Sequence, residues 1–191
     1  RIGNTHKVIN HYLNEFSGPS ITNSEILYKR DQNKIFQILR LSLMDREREN
    51  ATFLDRKLPF TLSFDYLVSK PVKSLEANVV ITTHGPQNGV QDDTLVFQWS
   101  EQHYNKYKYN KQEVSKDKGT YRVEIEIPGY LLNSGSYKFT VGLSYAGNMY
   151  ELIKVGIIFQ LYDSDTSHAL KTGRSAGLLG MPLNWKERKI N

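Results

Sequence analysis

The sequence predicts an all-β protein, an antiparallel β-sandwich of the jelly-roll or immunoglobulin-like kind, with a short N-terminal helix. Three observations lead to this prediction. Apolar and polar residues alternate over many short stretches, which is typical of strands with one face on a core and one in water. Turn residues separate these stretches, and no helical periodicity lies between them. An antiparallel sandwich is therefore favoured over parallel units joined by helices.

The helix is predicted over residues 5–16. Thr5 is a suitable N-cap, and Ser17-Gly18-Pro19 ends the helical stretch. The apolar residues that share one side at helical spacing are Val8, Ile9, Tyr12, Leu13 and Phe16. We expect residues 1–24 to form this helix and a linker, and residues 25–191 to form the sandwich.

Stretches with strand periodicity follow along the rest of the chain. They are 35–43, 60–66, 77–83, 94–99, 120–127, 136–144, 150–162 and 176–185. In the first of them, Ile35, Leu39, Leu41 and Leu43 are expected on one side, with Phe36 and Ile38 on the other. In the stretch 94–99, Trp99 continues the alternation of Leu95 and Phe97, which indicates a core residue. The alternative is that Trp99 belongs to a binding surface.

Turn and loop residues separate the predicted strands. A loop is expected at His84–Gly89, and Pro128 should end a strand because it cannot donate to a strand ladder. Asn133 and Gly135 suit a tight turn because both tolerate positive φ. The residues between Ser100 and Gly119 form the longest segment without apolar periodicity, and such loops are often functional or disordered.

Composition excludes several classes of function. The chain has 191 residues, a formal net charge of +5 and no cysteine, so disulfides and thiolate chemistry are excluded. No apolar run reaches the roughly 18 residues that a membrane-spanning helix needs. The basic residues are dispersed rather than clustered, which favours a solvated surface over a nucleic-acid partner. The chain begins at Arg1 without a methionine, so we expect a fragment or a processed product.

No motif indicates catalysis. The sequence contains no GxSxG, HExxH or phosphate-cradling glycine loop. It also contains no recognised spacing of metal ligands, so we expect no metal site. The sequence therefore favours a binding domain over an enzyme.

Sugar binding requires aromatic faces together with side chains that form hydrogen bonds, and the predicted loops contain both. The expected stacking surfaces are Tyr104, Tyr107 and Tyr109. The expected hydrogen-bonding groups are His84, Asn88, Gln91, Gln102 and His103. The alternative site is the water-facing side of one sheet, where Lys138, Thr140 and Ser144 would lie beside Arg122, Glu124 and Glu126.

Three segments of the chain resemble one known family. Residues 3–16, GNTHKVINHYLNEF, resemble the last helix of an ABC-transporter ATPase domain, through Val8, Ile9 and Tyr12. Residues 119–143, GTYRVEIEIPGYLLNSGSYKFTVGL, and residues 173–185, GRSAGLLGMPLNW, are similar to the central strands and the C-terminal end of the family. That family is the C-terminal carbohydrate-binding domain of Wzt, the nucleotide-binding subunit of O-antigen polysaccharide ABC transporters.

The resemblance implies a non-catalytic domain that recognises a lipid-linked O-antigen polysaccharide, at its modified non-reducing end, for export. It implies that ATP is bound by a preceding ATPase domain, with no cofactor in this chain. Implied partners are the polysaccharide, the transmembrane subunit of the transporter and a second protomer, with exchange of C-terminal strands as one arrangement. The implied location is the cytoplasm, at the inner membrane. The alternative function is a dimerisation or interaction module without glycan specificity.

Overall fold

The computed structural model describes residues 23–85, 94–100, 115–145, 148–152 and 156–164. The predicted helix over 5–16 and the predicted strand over 176–185 lie outside these ranges. Within them, no helix is both long enough and apolar enough to cross a membrane. The strands are β1 (Glu25–Leu27), β2 (Phe36–Met44), β3 (Phe53–Asp55), β4 (Phe60–Val68), β5 (Val72–Lys73), β6 (Leu75–Thr83), β7 (Leu95–Ser100), β8 (Ser115–Lys116), β9 (Gly119–Ile127), β10 (Gly135–Tyr145), β11 (Asn148–Leu152) and β12 (Ile157–Tyr162).

The strands form two main sheets. The first sheet has the order β1-β2-β4-β9, and the second has the order β3-β12-β10-β6-β7. Strand β11 pairs with β10 on the same side as β12, and β5 and β8 form a separate two-stranded ladder. Among the described strands every pair is antiparallel except β3 and β12, which are parallel. The predicted antiparallel sandwich is confirmed, with this one parallel pair in addition.

The core lies between the inner faces of the two sheets. From the first sheet, Leu62 and Phe64 are almost completely buried, and from the second Phe139 and Val141 are. Phe60 of β4 and Phe159 of β12 bring their ring centres within 5.6 Å of each other across the sandwich. The alternation predicted over 60–66, 77–83 and 136–144 is confirmed, since its apolar residues are all core residues.

Strand β2 contains a β-bulge that changes which residues face the core. Phe36 and Ile38 are core residues before the bulge, and Leu41 and Leu43 are core residues after it. The register with β4 shifts between Ile38 and Arg40, and one extra residue moves the alternation to the other face. The prediction that Ile35, Leu39, Leu41 and Leu43 share one side is therefore wrong, and Ile35 is exposed.

A glutamate from a distant strand stabilises this bulge. The backbone N–H of Ile38 donates to the carboxylate of Glu151 on β11, at 2.8 Å. The ammonium group of Lys34 pairs with the same carboxylate. Glu151 thereby connects β2 of the first sheet to β11 of the second, and the carboxylate satisfies a backbone donor next to the bulge.

The turn between β9 and β10 differs in detail from the prediction. Strand β9 ends at Ile127, directly before Pro128, as predicted. The residue with a positive φ, however, is Tyr130, at 64°, and neither Asn133 nor Gly135 has one. The preceding Gly129 allows a close backbone approach, since a Cβ there would lie 2.1 Å from the carbonyl oxygen of Lys57.

Candidate functional site

One of the eight residues predicted to bind a sugar lies in the described part of the chain. His84 follows the end of β6, and its backbone N–H donates to the carbonyl oxygen of Ser136 at 2.9 Å. The other seven lie outside the described residues, so their role stays a prediction. They are Asn88, Gln91, Gln102, His103, Tyr104, Tyr107 and Tyr109.

The two predicted binding loops leave the second sheet from opposite ends of β7. At the start of β7, the backbone of Thr83 donates to Thr94, at 2.8 Å. At its end, Ser100 pairs with Asn78, near the beginning of β6. Strand β7 has six residues, which span roughly 20 Å in an extended strand.

The prediction that Trp99 is a core residue is wrong, and the alternative that it belongs to a binding surface stays a prediction. The side chain of Trp99 is 45% exposed, although it pairs with the core residue Val79. Strand β7 is the last strand of the described second sheet, so only β6 pairs with it there. Leu95 is also exposed, while Phe97 is partly buried against the core.

The alternative site on one sheet face is divided by the fold. Lys138, Thr140 and Ser144 belong to β10 of the second sheet. The acidic and basic residues 122, 124 and 126 belong to β9 of the first sheet. Both sets alternate with residues packed on the core, so they lie on opposite outer surfaces of the sandwich. The prediction that they share a surface is wrong.

The outer surface of the first sheet has an ordered set of charged side chains, which we call the charged face (Arg40, Asp65, Arg122, Glu124 and Glu126). Strand pairing places Arg40, Asp65 and Arg122 side by side on three neighbouring strands. Arg122 donates two hydrogen bonds to the two carboxylate oxygens of Asp65, at 2.7 and 2.8 Å. Two parallel bonds of this kind fix the orientation of both groups.

This pairing changes the acidity of Asp65. The hydrogen bonds from Arg122 hold the pKa of the Asp65 carboxyl group below its usual value, and the charges of Arg122 and Arg40 act in the same direction. Desolvation opposes them. Arg40 also forms an ion pair with Glu25 of β1. Charged groups on all four strands are thus linked across the face.

We expect the lowered pKa of Asp65 to appear as a pH-dependent contribution to stability. The contribution is present above the unfolded pKa of about 3.9 and is lost as the pH falls through the lower folded pKa. Asp65→Asn should therefore destabilise the fold at neutral pH, and the difference from the parent should shrink below about pH 4. Urea unfolding at several pH values tests this, and a difference independent of pH would contradict it.

A groove lies at one end of the charged face, beside the turn that follows β2. Its volume is about 550 Å³, and its lining residues are Asp45, Arg46, Arg48, Pro59, Thr61, Glu124 and Glu126. Asp45 holds the turn in place, because its carboxylate accepts the backbone N–H groups of Glu47 and Glu49, both at 2.9 Å. Arg48 reaches from the turn to Glu124 on β9, at 3.1 Å.

Two polar groups of the groove form no hydrogen bond or ion pair with a described residue. Thr61 and Glu126 are cross-strand neighbours on β4 and β9. Thr61 is only 8% exposed, yet its hydroxyl group makes no hydrogen bond in the part of the chain that the structure describes. The carboxylate of Glu126 is also unpaired there. The alternation in the sequence puts both Thr61 and Glu126 on the outward side of their strands, but it does not indicate that the turn at 45–49 lies beside them.

Comparison with solved structures shows that this β-sandwich is a known fold. The chain is similar to the crystal structure of the C-terminal domain of Wzt, with a TM-score of 0.61 and 11% sequence identity. The match covers 87% of this chain and 89% of that one. The resemblance predicted from the three sequence segments is thus confirmed at the level of the fold.

Weaker similarities extend to parts of larger proteins. The β-D-glucoside glucohydrolase of Trichoderma reesei matches with a TM-score of 0.39 and 14% identity, over 71% of this chain and 20% of that one. β-Glucosidase 3B of Thermotoga neapolitana matches with a TM-score of 0.37 and 14% identity, over 70% and 16%. These scores are too low to establish a shared fold. No protein-family model matches the sequence, and no curated protein matches it.

Proposed function

We propose that this chain is a non-catalytic domain that binds a bacterial O-antigen polysaccharide for export. The observation that carries the proposal is a groove with unpaired hydrogen-bonding groups on a sandwich whose fold is that of the Wzt C-terminal domain. The sequence resemblance to that family over residues 3–16, 119–143 and 173–185 supports the same assignment.

The proposal includes the setting in which the domain works. A preceding ATPase domain binds ATP and contacts the transmembrane subunit of the transporter, while this domain holds the lipid-linked polysaccharide in the cytoplasm at the inner membrane. The ligand is bound at its modified non-reducing end, and two copies of the chain form a homodimer. The family resemblance supports each of these statements, and no nucleic acid is involved.

Polysaccharide binding is expected to depend on the identity and the end of the polymer. The experiment measures binding of this chain to three samples by calorimetry: O-polysaccharide from the source strain, the same polymer without its terminal residue, and an unrelated O-polysaccharide. Saturable binding to the intact source polymer alone is the expected result. Equal binding to the trimmed polymer would replace end recognition with recognition of internal repeats.

An absence of binding to all three samples would reject the proposal. The alternative, a dimerisation module of the ATPase without glycan specificity, would then explain the domain, and analytical ultracentrifugation would test it. Substitution of Tyr104, Tyr107 and Tyr109 with alanine compares the predicted loop site with the groove. If these three changes abolish binding and groove variants do not, the loop site is correct.

A further inference from the structure

We infer that the groove binds an uncharged sugar residue through its hydroxyl groups, with Thr61 and Glu126 as contact residues, and that it discriminates against anionic sugars. This inference rests on the proposed function and adds the chemical class of the ligand. The volume of about 550 Å³ falls within the roughly 300–1,000 Å³ of small-molecule sites.

The charges that line the groove argue against an anionic ligand. Three carboxylates and two guanidinium groups line it, and Arg48 is already paired with Glu124. The groups that remain are Asp45, Glu126 and Arg46, which leave an excess of one negative charge. A uronate or phosphate group would meet this excess, and a like charge held close to a carboxylate is unfavourable.

A neutral sugar can form hydrogen bonds with both the carboxylate of Glu126 and the guanidinium group of Arg46. Each sugar hydroxyl donates one hydrogen bond and accepts others, as protein hydroxyls do. It can therefore donate to the Glu126 carboxylate and accept from the Arg46 guanidinium group, which makes no ion pair within the described ranges. Pro59 adds an apolar surface to the wall of the groove.

Thr61 is the second, independent indication of a ligand. A hydroxyl group that is accessible from a groove can donate a hydrogen bond to a ligand and accept others from it. Thr61 is more than nine-tenths buried and lines the groove, yet its hydroxyl oxygen is not sealed from solvent, and no hydrogen bond to a described residue occupies it. Glu126 lies directly beside it on the neighbouring strand. One ligand hydroxyl group can reach both side chains, because opposed residues on paired strands are close together.

The test uses an array of purified bacterial polysaccharides, half of them neutral and half containing uronic acids or phosphodiesters. We expect binding in the neutral half. Thr61→Val should weaken it about 5-fold, the effect of one neutral hydrogen bond, and Glu126→Gln about 10-fold or more, since bonds to charged groups are stronger. The matched control is Glu47→Gln, an exposed acid of the same turn outside the groove lining, which should bind like the parent.

Thermal unfolding distinguishes ligand contact from a structural role. Because no described residue forms a hydrogen bond with the Thr61 hydroxyl group, Thr61→Val should melt at or above the temperature of the parent while it binds more weakly. Binding confined to acidic polysaccharides, or unchanged binding by both groove variants, would overturn the inference and leave the proposed function in place. No binding to any polysaccharide would overturn both.

Discussion

Gly156→Ala is expected to destabilise the fold by about 3 kcal/mol, the upper end of the usual range for overpacking. A Cβ at this position would lie 2.1 Å from the carbonyl oxygen of Phe139 and 2.5 Å from Cγ2 of Thr140. The carbonyl group cannot move away easily, because β10 is paired with β6 on one side and β12 on the other. Any shift would disturb the middle of the second sheet.

Urea unfolding followed by circular dichroism measures this effect, and Gly119→Ala is the matched control. Gly119 begins β9, and a Cβ there would have its nearest neighbour at 3.8 Å, in ordinary contact with the ring of Tyr121. The control should unfold at nearly the same urea concentration as the parent, with the same slope. Equal midpoints for the two variants would show that the backbone near Phe139 adapts at no cost.

The sequence predicts the sandwich because side-chain alternation is a local property. In β4 and β10, each residue faces either the core or the outside according to its position, and the apolar residues mark the inner face. Pro128 likewise ends β9 for a local reason, the missing backbone donor. Features of this kind need no knowledge of which strands are neighbours.

Features that depend on distant contacts were not predictable. The bulge in β2 moves Leu41 and Leu43 to the core face. The backbone N–H of Ile38 beside the bulge donates its hydrogen bond to Glu151, which lies 113 residues away in the sequence. Nothing in the sequence around Ile38 indicates that partner. Similarly, the positive φ of Tyr130 arises where the chain passes the backbone of Arg56, to whose carbonyl oxygen it donates at 2.6 Å.

The sequence predicts which types of residue face outward near the candidate site, but it does not predict where in the fold they come together. The outward alternation of Arg122, Glu124 and Glu126 is visible in the sequence of β9. Their neighbours on other strands are not visible in the sequence, because Asp65 lies 57 residues before its partner Arg122. The division of charged and polar residues between two sheets follows from the strand order, which alternation alone does not determine. Thr61 was missed because a threonine in a strand gives no sequence signal of a ligand contact.

Arg56→Ala is expected to cost about 2 kcal/mol, because the ion pair it breaks is partly buried and such a loss lies between that of an exposed pair and that of a fully buried one. Arg56 follows β3, and its Nε donates to the carboxylate of Asp163 at 2.7 Å, directly after β12. The side chains of Arg56 and Asp163 are 13% and 15% exposed. The guanidinium group also donates to Oδ1 of Asn133 at 3.2 Å and lies 5.5 Å from the ring centre of Tyr130. Removing it takes this partner away from the partly buried Asp163 carboxylate.

Arg48→Ala is the matched control for this loss, because the ion pair of Arg48 with Glu124 is exposed, at 58% and 40%. Exposed pairs contribute about 0.5 kcal/mol, so the control should unfold close to the parent in urea. Arg56→Lys should recover part of the loss, since lysine keeps the charge but not the planar arrangement of donors. If Arg56→Ala lowered the free energy of unfolding by no more than Arg48→Ala does, water would have to reach the Asp163 carboxylate in the variant. The junction of β3, β12 and the β9–β10 turn would then depend on its apolar packing and backbone hydrogen bonds rather than on this ion pair.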